Sequence, residues 1–125
     1  MSRPLILVVD DDTDVRDFVA DVLRLEDYAV DTATNGREAL TLLEQQSYDL
    51  VVSNMRMPEL DGPSLYYEVK QRRPEATPPF LFLTGDYEKP DYVRFFQEAR
   101  VPALAKPCSP ATLIQAVKPM LRVDR

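Results

Sequence analysis

Three short apolar runs constrain this chain more than any other feature. Leu5-Ile6-Leu7-Val8-Val9, Leu50-Val51-Val52 and Phe80-Leu81-Phe82-Leu83 contain no polar residue that would leave one face wet. Runs of this length, rich in β-branched and aromatic residues, read as strands covered on both faces, the kind found in parallel sheets sandwiched between helices. Each run stops at a polar side chain: Asp10, then Ser53-Asn54, then Thr84. Open α/β sheets hold their ligands at the carboxyl ends of such strands.

The intervening segments supply the helices. Val15, Phe18, Val19, Val22 and Leu23 recur at helical spacing and form one apolar face, with Arg16, Asp17, Asp21 and Arg24 turned to water. Tyr28 to Ala33 alternates as a second strand. Asn35, with Glu38 three residues on, opens a helix through Leu40 and Leu43 in a pattern close to a capping box. A third helix runs from about Pro63 to Arg73, with Pro63 tolerated in its first turn. Pro74 and Pro78-Pro79 punctuate the return. A helix near Asp91 to Ala99 carries Tyr92, Val93, Phe95 and Phe96, and a short strand, Ala103-Leu104-Ala105, ends at Lys106-Pro107. Ser109-Pro110 opens the last helix as cap and first residue, with Leu113, Ile114, Val117, Met120 and Leu121 as its stripe and Pro119 expected to weaken or bend its final turn. Five strands alternating with five helices predict an α/β fold, a doubly wound parallel sheet with right-handed crossovers. We read residues 1–125 as a single domain, since a chain this long builds one core and not two.

Charge and residue usage narrow the function. The net charge of −6 argues against direct contact with nucleic acid or a membrane surface. No stretch approaches the length of a transmembrane helix, and Met1-Ser2-Arg3-Pro4 leads into the first strand without a signal-peptide pattern. The single cysteine, Cys108, excludes an internal disulfide and is expected to be a small buried hydrophobe; a cytoplasmic location fits these features. The chain has no histidine, so it cannot carry a phosphohistidine or use a histidine ligand.

Residues Asp49 to Gly62 read Asp-Leu-Val-Val-Ser-Asn-Met-Arg-Met-Pro-Glu-Leu-Asp-Gly. This stretch resembles the receiver domain of bacterial response regulators, whose third strand ends in an Asp followed by Met-Pro and Asp-Gly. Met57-Pro58 and Asp61-Gly62 fit that register, and Asn54 fills the position of the phosphoacceptor Asp. The resemblance covers roughly Leu5 to Leu121 and implies the flavodoxin-like strand order 2-1-3-4-5. A parallel sheet places Asp10, Asp11, Asn54, Thr84 and Lys106 at one carboxyl edge. Paired carboxylates there repel and invite a hard divalent cation, Mg²⁺ above all. By the resemblance, Asp11 binds the metal directly, Asp10 through water, and the Arg56 carbonyl completes the protein's share, with Asn54 able to offer its amide oxygen. Thr84 takes the place of the hydroxyl that senses the phosphoryl group, and Lys106 that of the lysine in the family's Lys-Pro pair.

The resemblance further implies a non-enzymatic signalling module whose partner is a histidine kinase or histidine phosphotransfer protein, with homodimers formed through the fourth and fifth helices in many relatives. Two departures stand out. Asn54 is a far weaker nucleophile than Asp and cannot give a stable acyl phosphate, and as a neutral ligand it should weaken Mg²⁺ binding. Ala103 replaces an aromatic residue that swings inward in many receivers, so any switch here needs another route, such as the aromatic helix from Tyr92 to Phe96.

Taken singly, Asp10-Asp11-Asp12 reads as a solvated helix cap, Thr84 as a turn residue and Lys106 as a surface lysine; their placement at successive strand ends favours a site. A Mg²⁺-dependent phosphatase wants Thr or Val where Asp14 stands, and a cap domain for which there is no room. A flavodoxin-like carrier would need a phosphate loop where the three acids are. The expected function is therefore a receiver held off by Asn54 as a locked variant. The alternative is a natural pseudo-receiver serving as a phosphorylation-independent interaction module.

Overall fold

Five strands pair in parallel in the order β2-β1-β3-β4-β5: β1 (Leu5–Val9), β2 (Ala29–Ala33), β3 (Leu50–Asn54), β4 (Phe80–Thr84) and β5 (Ala103–Ala105). The three apolar runs are the three central strands, with Ile6 opposite Leu50 and Val51 opposite Phe80. This is the flavodoxin-like order that the resemblance implies. The computed structural model describes residues 3–121; Met1 and Ser2, read as leading into β1, lie outside the described residues, as do residues 122–125.

Successive side chains of a strand point to opposite faces, so each run feeds two cores. Leu7, Val9, Val51, Phe80 and Phe82 pack with α2 (Gly36–Gln45), α3 (Gly62–Arg72) and α4 (Pro90–Ala99) through Leu40, Leu65, Val69 and Phe95. Ile6, Val8, Leu50, Val52, Leu81 and Leu83 pack with α1 (Thr13–Leu25) and α5 (Pro110–Leu121) through Val19, Leu23, Leu113 and Val117. With helices on both faces, β1, β3 and β4 have no wet side, which is why their sequences do not alternate.

The helix starts are set by side-chain caps. Asp12 Oδ1 accepts from the Asp14 and Val15 amides at 2.9 and 3.2 Å. Asn35 Oδ1 accepts from the Glu38 amide at 2.7 Å, and Glu38 reaches back to the amide of Thr34 at 2.6 Å, one residue earlier than a capping box requires. Asp61 caps α3 through the Ser64 amide at 2.9 Å, and Ser109 Oγ receives the Thr112 amide at 3.1 Å.

Several sequence expectations need correction. The amide of Tyr28 bonds to Leu23 O at the end of α1 rather than to the sheet, so β2 begins at Ala29. The helix α4 begins one residue early, with Pro90 in its first turn. Phe18 is 39% exposed, because the buried arc of α1 centres on Val19 and Leu23 and extends to Ala20, leaving Phe18 at its rim. Cys108 is half-buried. Helix α5 runs through Pro119 to Leu121; the amide that Pro119 lacks would have paired with the carbonyl of Gln115, an exposed residue that water can serve.

Candidate functional site

The sheet delivers polar side chains to its carboxyl edge from four strand ends. Asp10 follows β1 and extends its ladder, its amide donating to Ala33 O at 3.1 Å, and the residue is only 2% exposed. A carboxylate so placed needs partners. Asp10 Oδ1 accepts the Asp12 amide at 2.9 Å, and Asp10 Oδ2 accepts Lys106 Nζ at 3.0 Å. Arg16 adds a bond from its guanidinium to the Asp10 carbonyl at 3.0 Å. Asp11 is exposed at the rim.

Lys106 follows the edge strand β5, where its amide continues the ladder to Thr84 O at 2.9 Å. Its long stem then crosses the end of β4 to reach β1 and β3. The Lys106–Pro107 peptide bond is cis. Thr84 is buried, and its hydroxyl accepts the Asp86 amide at 3.0 Å, so it is engaged in the turn leading to α4.

Asn54 closes β3 and is the hub of the cluster. Its Oδ1 accepts from Lys106 Nζ at 3.1 Å and from the Met55 amide at 3.0 Å. Its Nδ2 donates to the Arg56 carbonyl at 2.8 Å and faces Asp11 Oδ1 at 3.4 Å and Asp10 Oδ1 at 3.5 Å. The opposite amide orientation would set nitrogen against an ammonium and an amide hydrogen, and oxygen against three oxygens. The network therefore admits one orientation. Gly62 braces the loop behind it: its amide donates to Met55 O at 2.8 Å, and a Cβ there would stand 2.6 Å from the Asn54 carbonyl oxygen.

Mg²⁺ wants an octahedron of oxygens. Asp10, Asp11 and the Arg56 carbonyl supply oxygens, but residue 54 turns nitrogen toward them. As oriented, the residues do not fit the ion: the amide oxygen that Asn54 was expected to offer a cation is held by Lys106 and Met55.

The sequence reading brought together Asp10, Asp11, Asn54, Thr84 and Lys106 but passed over the rim. There Arg56 Nη2 pairs with Asp86 Oδ2 at 3.1 Å, joining the loops after β3 and β4. The available signal was spacing: opposite charges stand two residues beyond Asn54 and Thr84. A cavity of about 520 Å³ opens beside Lys106, lined by Asp14, Val15, Phe18, Val19, Leu83, Pro107 and Cys108. Burial pushes the Cys108 thiol pKa up, with Lys106 pulling it weakly the other way.

Residues 6–118 match the response regulator receiver domain family. The chain is 34% identical over 117 residues to the transcriptional regulatory protein ResD of Bacillus subtilis, covering 94% of this chain and 48% of ResD. It is 36% identical over 112 residues to the transcriptional regulatory protein GlrR of Escherichia coli, covering 90% of this chain and 25% of GlrR. An uncharacterized 14.6 kDa protein of Leptolyngbya boryana is 38% identical over 113 residues, 90% of this chain and 86% of that one. The chain thus spans about half of ResD and a quarter of GlrR. Among solved structures, chemotaxis protein CheY4 of Vibrio cholerae superposes with a TM-score of 0.86 at 28% identity, covering 96% of this chain and all of that one. A CheY-like receiver domain protein of Methanospirillum hungatei gives 0.87 at 28% identity, covering 96% and 94%.

Proposed function

With the chain a member of the response regulator receiver domain family, we propose that it is the receiving module of a two-component phosphorelay, that residue 54 holds the phosphoacceptor position, and that Asn54 keeps it unphosphorylated. The observation that carries this reading is the meeting of Lys106 with both Asp10 and Asn54 at the carboxyl edge of β1 and β3. With Asp at 54, a carboxylate oxygen would attack the phosphorus of a phosphohistidine; an O–P bond forms, the N–P bond breaks, and the imidazole leaves. Lys106 would then pair with a phosphoryl oxygen, and the Thr84 hydroxyl would leave the Asp86 amide to meet another. Asn54 offers only a neutral oxygen that already accepts two hydrogen bonds.

Receiver domains are signalling modules that interact with histidine kinases, and they generally bind Mg²⁺ at their acidic pocket. With Asn54 in place that oxygen set is one member short. We infer that the partner is a histidine kinase or histidine phosphotransfer protein, whose donor histidine approaches residue 54 from the carboxyl edge of the sheet. Direct contact with nucleic acid is not part of the proposal, in keeping with the net charge of −6. None of the helices is long and apolar enough to cross a membrane among the described residues.

A second reading, a natural interaction module that no longer needs phosphorylation, draws on a different observation. No buried polar side-chain atom among the described residues lacks a hydrogen-bond partner, so the pocket is complete with Asn in place. Restoring the acid separates the two. Asn54→Asp supplied with acetyl phosphate and Mg²⁺ should gain one phosphoryl group by mass, lost on mild base treatment; failure to gain it sinks the receiver chemistry. Equal partner affinity for the wild-type chain, for Asn54→Asp and for the phosphorylated form of that variant would establish the interaction module instead.

A further inference from the structure

We propose that the amide nitrogen of Asn54 stands in for the divalent cation of this pocket, so that the chain keeps its strand-end cluster ordered without metal and is indifferent to Mg²⁺. The inference deepens the receiver reading of the site and rests on it. Three oxygens from three places in the chain face one nitrogen: the Arg56 carbonyl at 2.8 Å, Asp11 Oδ1 at 3.4 Å and Asp10 Oδ1 at 3.5 Å. These are the groups that the resemblance assigns to a hard cation, Asp11 and the Arg56 carbonyl directly and Asp10 through water. A cation cannot take that place while the nitrogen holds it.

Moving the nitrogen is opposed from the other side. Turning the amide over to present its oxygen would aim an NH₂ group at the Lys106 ammonium and the Met55 amide, now 3.1 and 3.0 Å from Oδ1. Donors would then face donors on that side, and the two hydrogen bonds that Oδ1 accepts would be lost. Electrostatics point the same way. Asp10 and Asp11 against Lys106 leave one net negative charge, partly neutralised by the NH₂ dipole, whereas Asp at 54 would leave two, the charge that a dication balances.

A lost ligand and an occupied position make different forecasts, and alanine separates them. Thermal unfolding of the 125-residue chain is followed by circular dichroism in EDTA and in about 10 mM MgCl₂ at matched ionic strength, for wild type, Asn54→Ala and Asn54→Asp. The wild-type midpoint should move by less than about 1 °C, whereas both variants should rise by roughly 3–6 °C with Mg²⁺. Alanine adds no ligand, so its gain identifies the Asn54 nitrogen as the obstruction. A wild-type rise equal to that of Asn54→Asp overturns the proposal. So does a rise in Asn54→Asp without one in Asn54→Ala, or no rise in any form. Should Asn54→Ala fail to fold, Asn54→Val, which likewise adds no ligand, takes its place with the same readings. Phosphoryl uptake by Asn54→Asp reports separately on the receiver reading, so failure of either is distinguishable from failure of the other.

Discussion

Lys106 and Asp10 lie 96 positions apart in the chain and 3.0 Å apart in space. The contact ties the edge strand β5 to the central strand β1 across the end of β4. It places a cation, with its side chain 21% exposed, against a carboxylate whose side chain is 3% exposed. A pair this deep is expensive to desolvate, and breaking it is worse than never having made it, because one charge stays behind without its counterpart.

Lys106→Met should therefore destabilise the chain by about 2 kcal/mol, discounted from the loss expected of a fully buried pair because the lysine retains some water. Urea denaturation gives the value. Adding Asp10→Asn to Lys106→Met should recover part of the loss, as a coupled pair requires. Additive losses would show that the two groups act independently.

Gly62, the first residue of α3, sits where the end of β3 leaves no room for a side chain. A Cβ there would meet the Asn54 carbonyl at 2.6 Å and the Phe82 ring at 2.9 Å, and the first of these is backbone that cannot swing away. Gly62→Ala should lower stability by about 2 kcal/mol through overpacking. It should also shift the amide resonances of Asn54 and Met55. An unchanged denaturation midpoint would contradict the close approach.

The fold was legible because its decisive information is local. Strands with both faces buried need unbroken apolar runs, and Leu5–Val9 and Phe80–Leu83 can be little else; the helix caps Asn35 and Ser109 act within three residues of themselves. Bringing Asp10, Asn54, Thr84 and Lys106 to one edge followed once the strands were parallel. Orientation was not legible. Whether Asn54 presents oxygen or nitrogen to the acids depends on Lys106, which is 52 positions away. Nor could the exposure of Phe18 be read from its spacing, since helical periodicity marks a face but not how far the neighbouring helix covers it. The Arg56–Asp86 pair joins two loops whose distance no periodicity encodes.

The contrast between Phe18 and Leu113 gives that last distinction a measurable form. Phe18→Ser should change stability by no more than about 0.5 kcal/mol, because the ring is already 39% exposed and only its flank is covered. Leu113, with none of its surface exposed, should cost about 3 kcal/mol as Leu113→Ala. Equal losses in chemical denaturation would mean that the α1 rim is as well packed as the α5 stripe.

Tyr48 lies far from the site and supplies a pH dependence of its own. It is 6% exposed and donates its phenol hydrogen to Asp31 Oδ2 at 2.7 Å, while Gln46 Nε2 reaches both at 3.2 Å. Burial first, and then the hydrogen bond to Asp31 and that carboxylate's charge, push the phenol pKa well above its ordinary value of 10.0. The folded state therefore holds its proton where the unfolded chain gives it up. The contribution is whole below about pH 10 and falls as pH rises beyond it, by about 1.4 kcal/mol at about pH 11. Tyr48→Phe has no such proton to lose, but forfeits about 1 kcal/mol of hydrogen bonding at neutral pH. The variant should thus be less stable than wild type at about pH 8, and the two stability curves should cross between about pH 10 and 11. Because the remaining ionisable groups are common to both proteins, the difference between the curves isolates Tyr48. A gap that stayed constant with pH would mean that the folded phenol ionises as readily as the unfolded one.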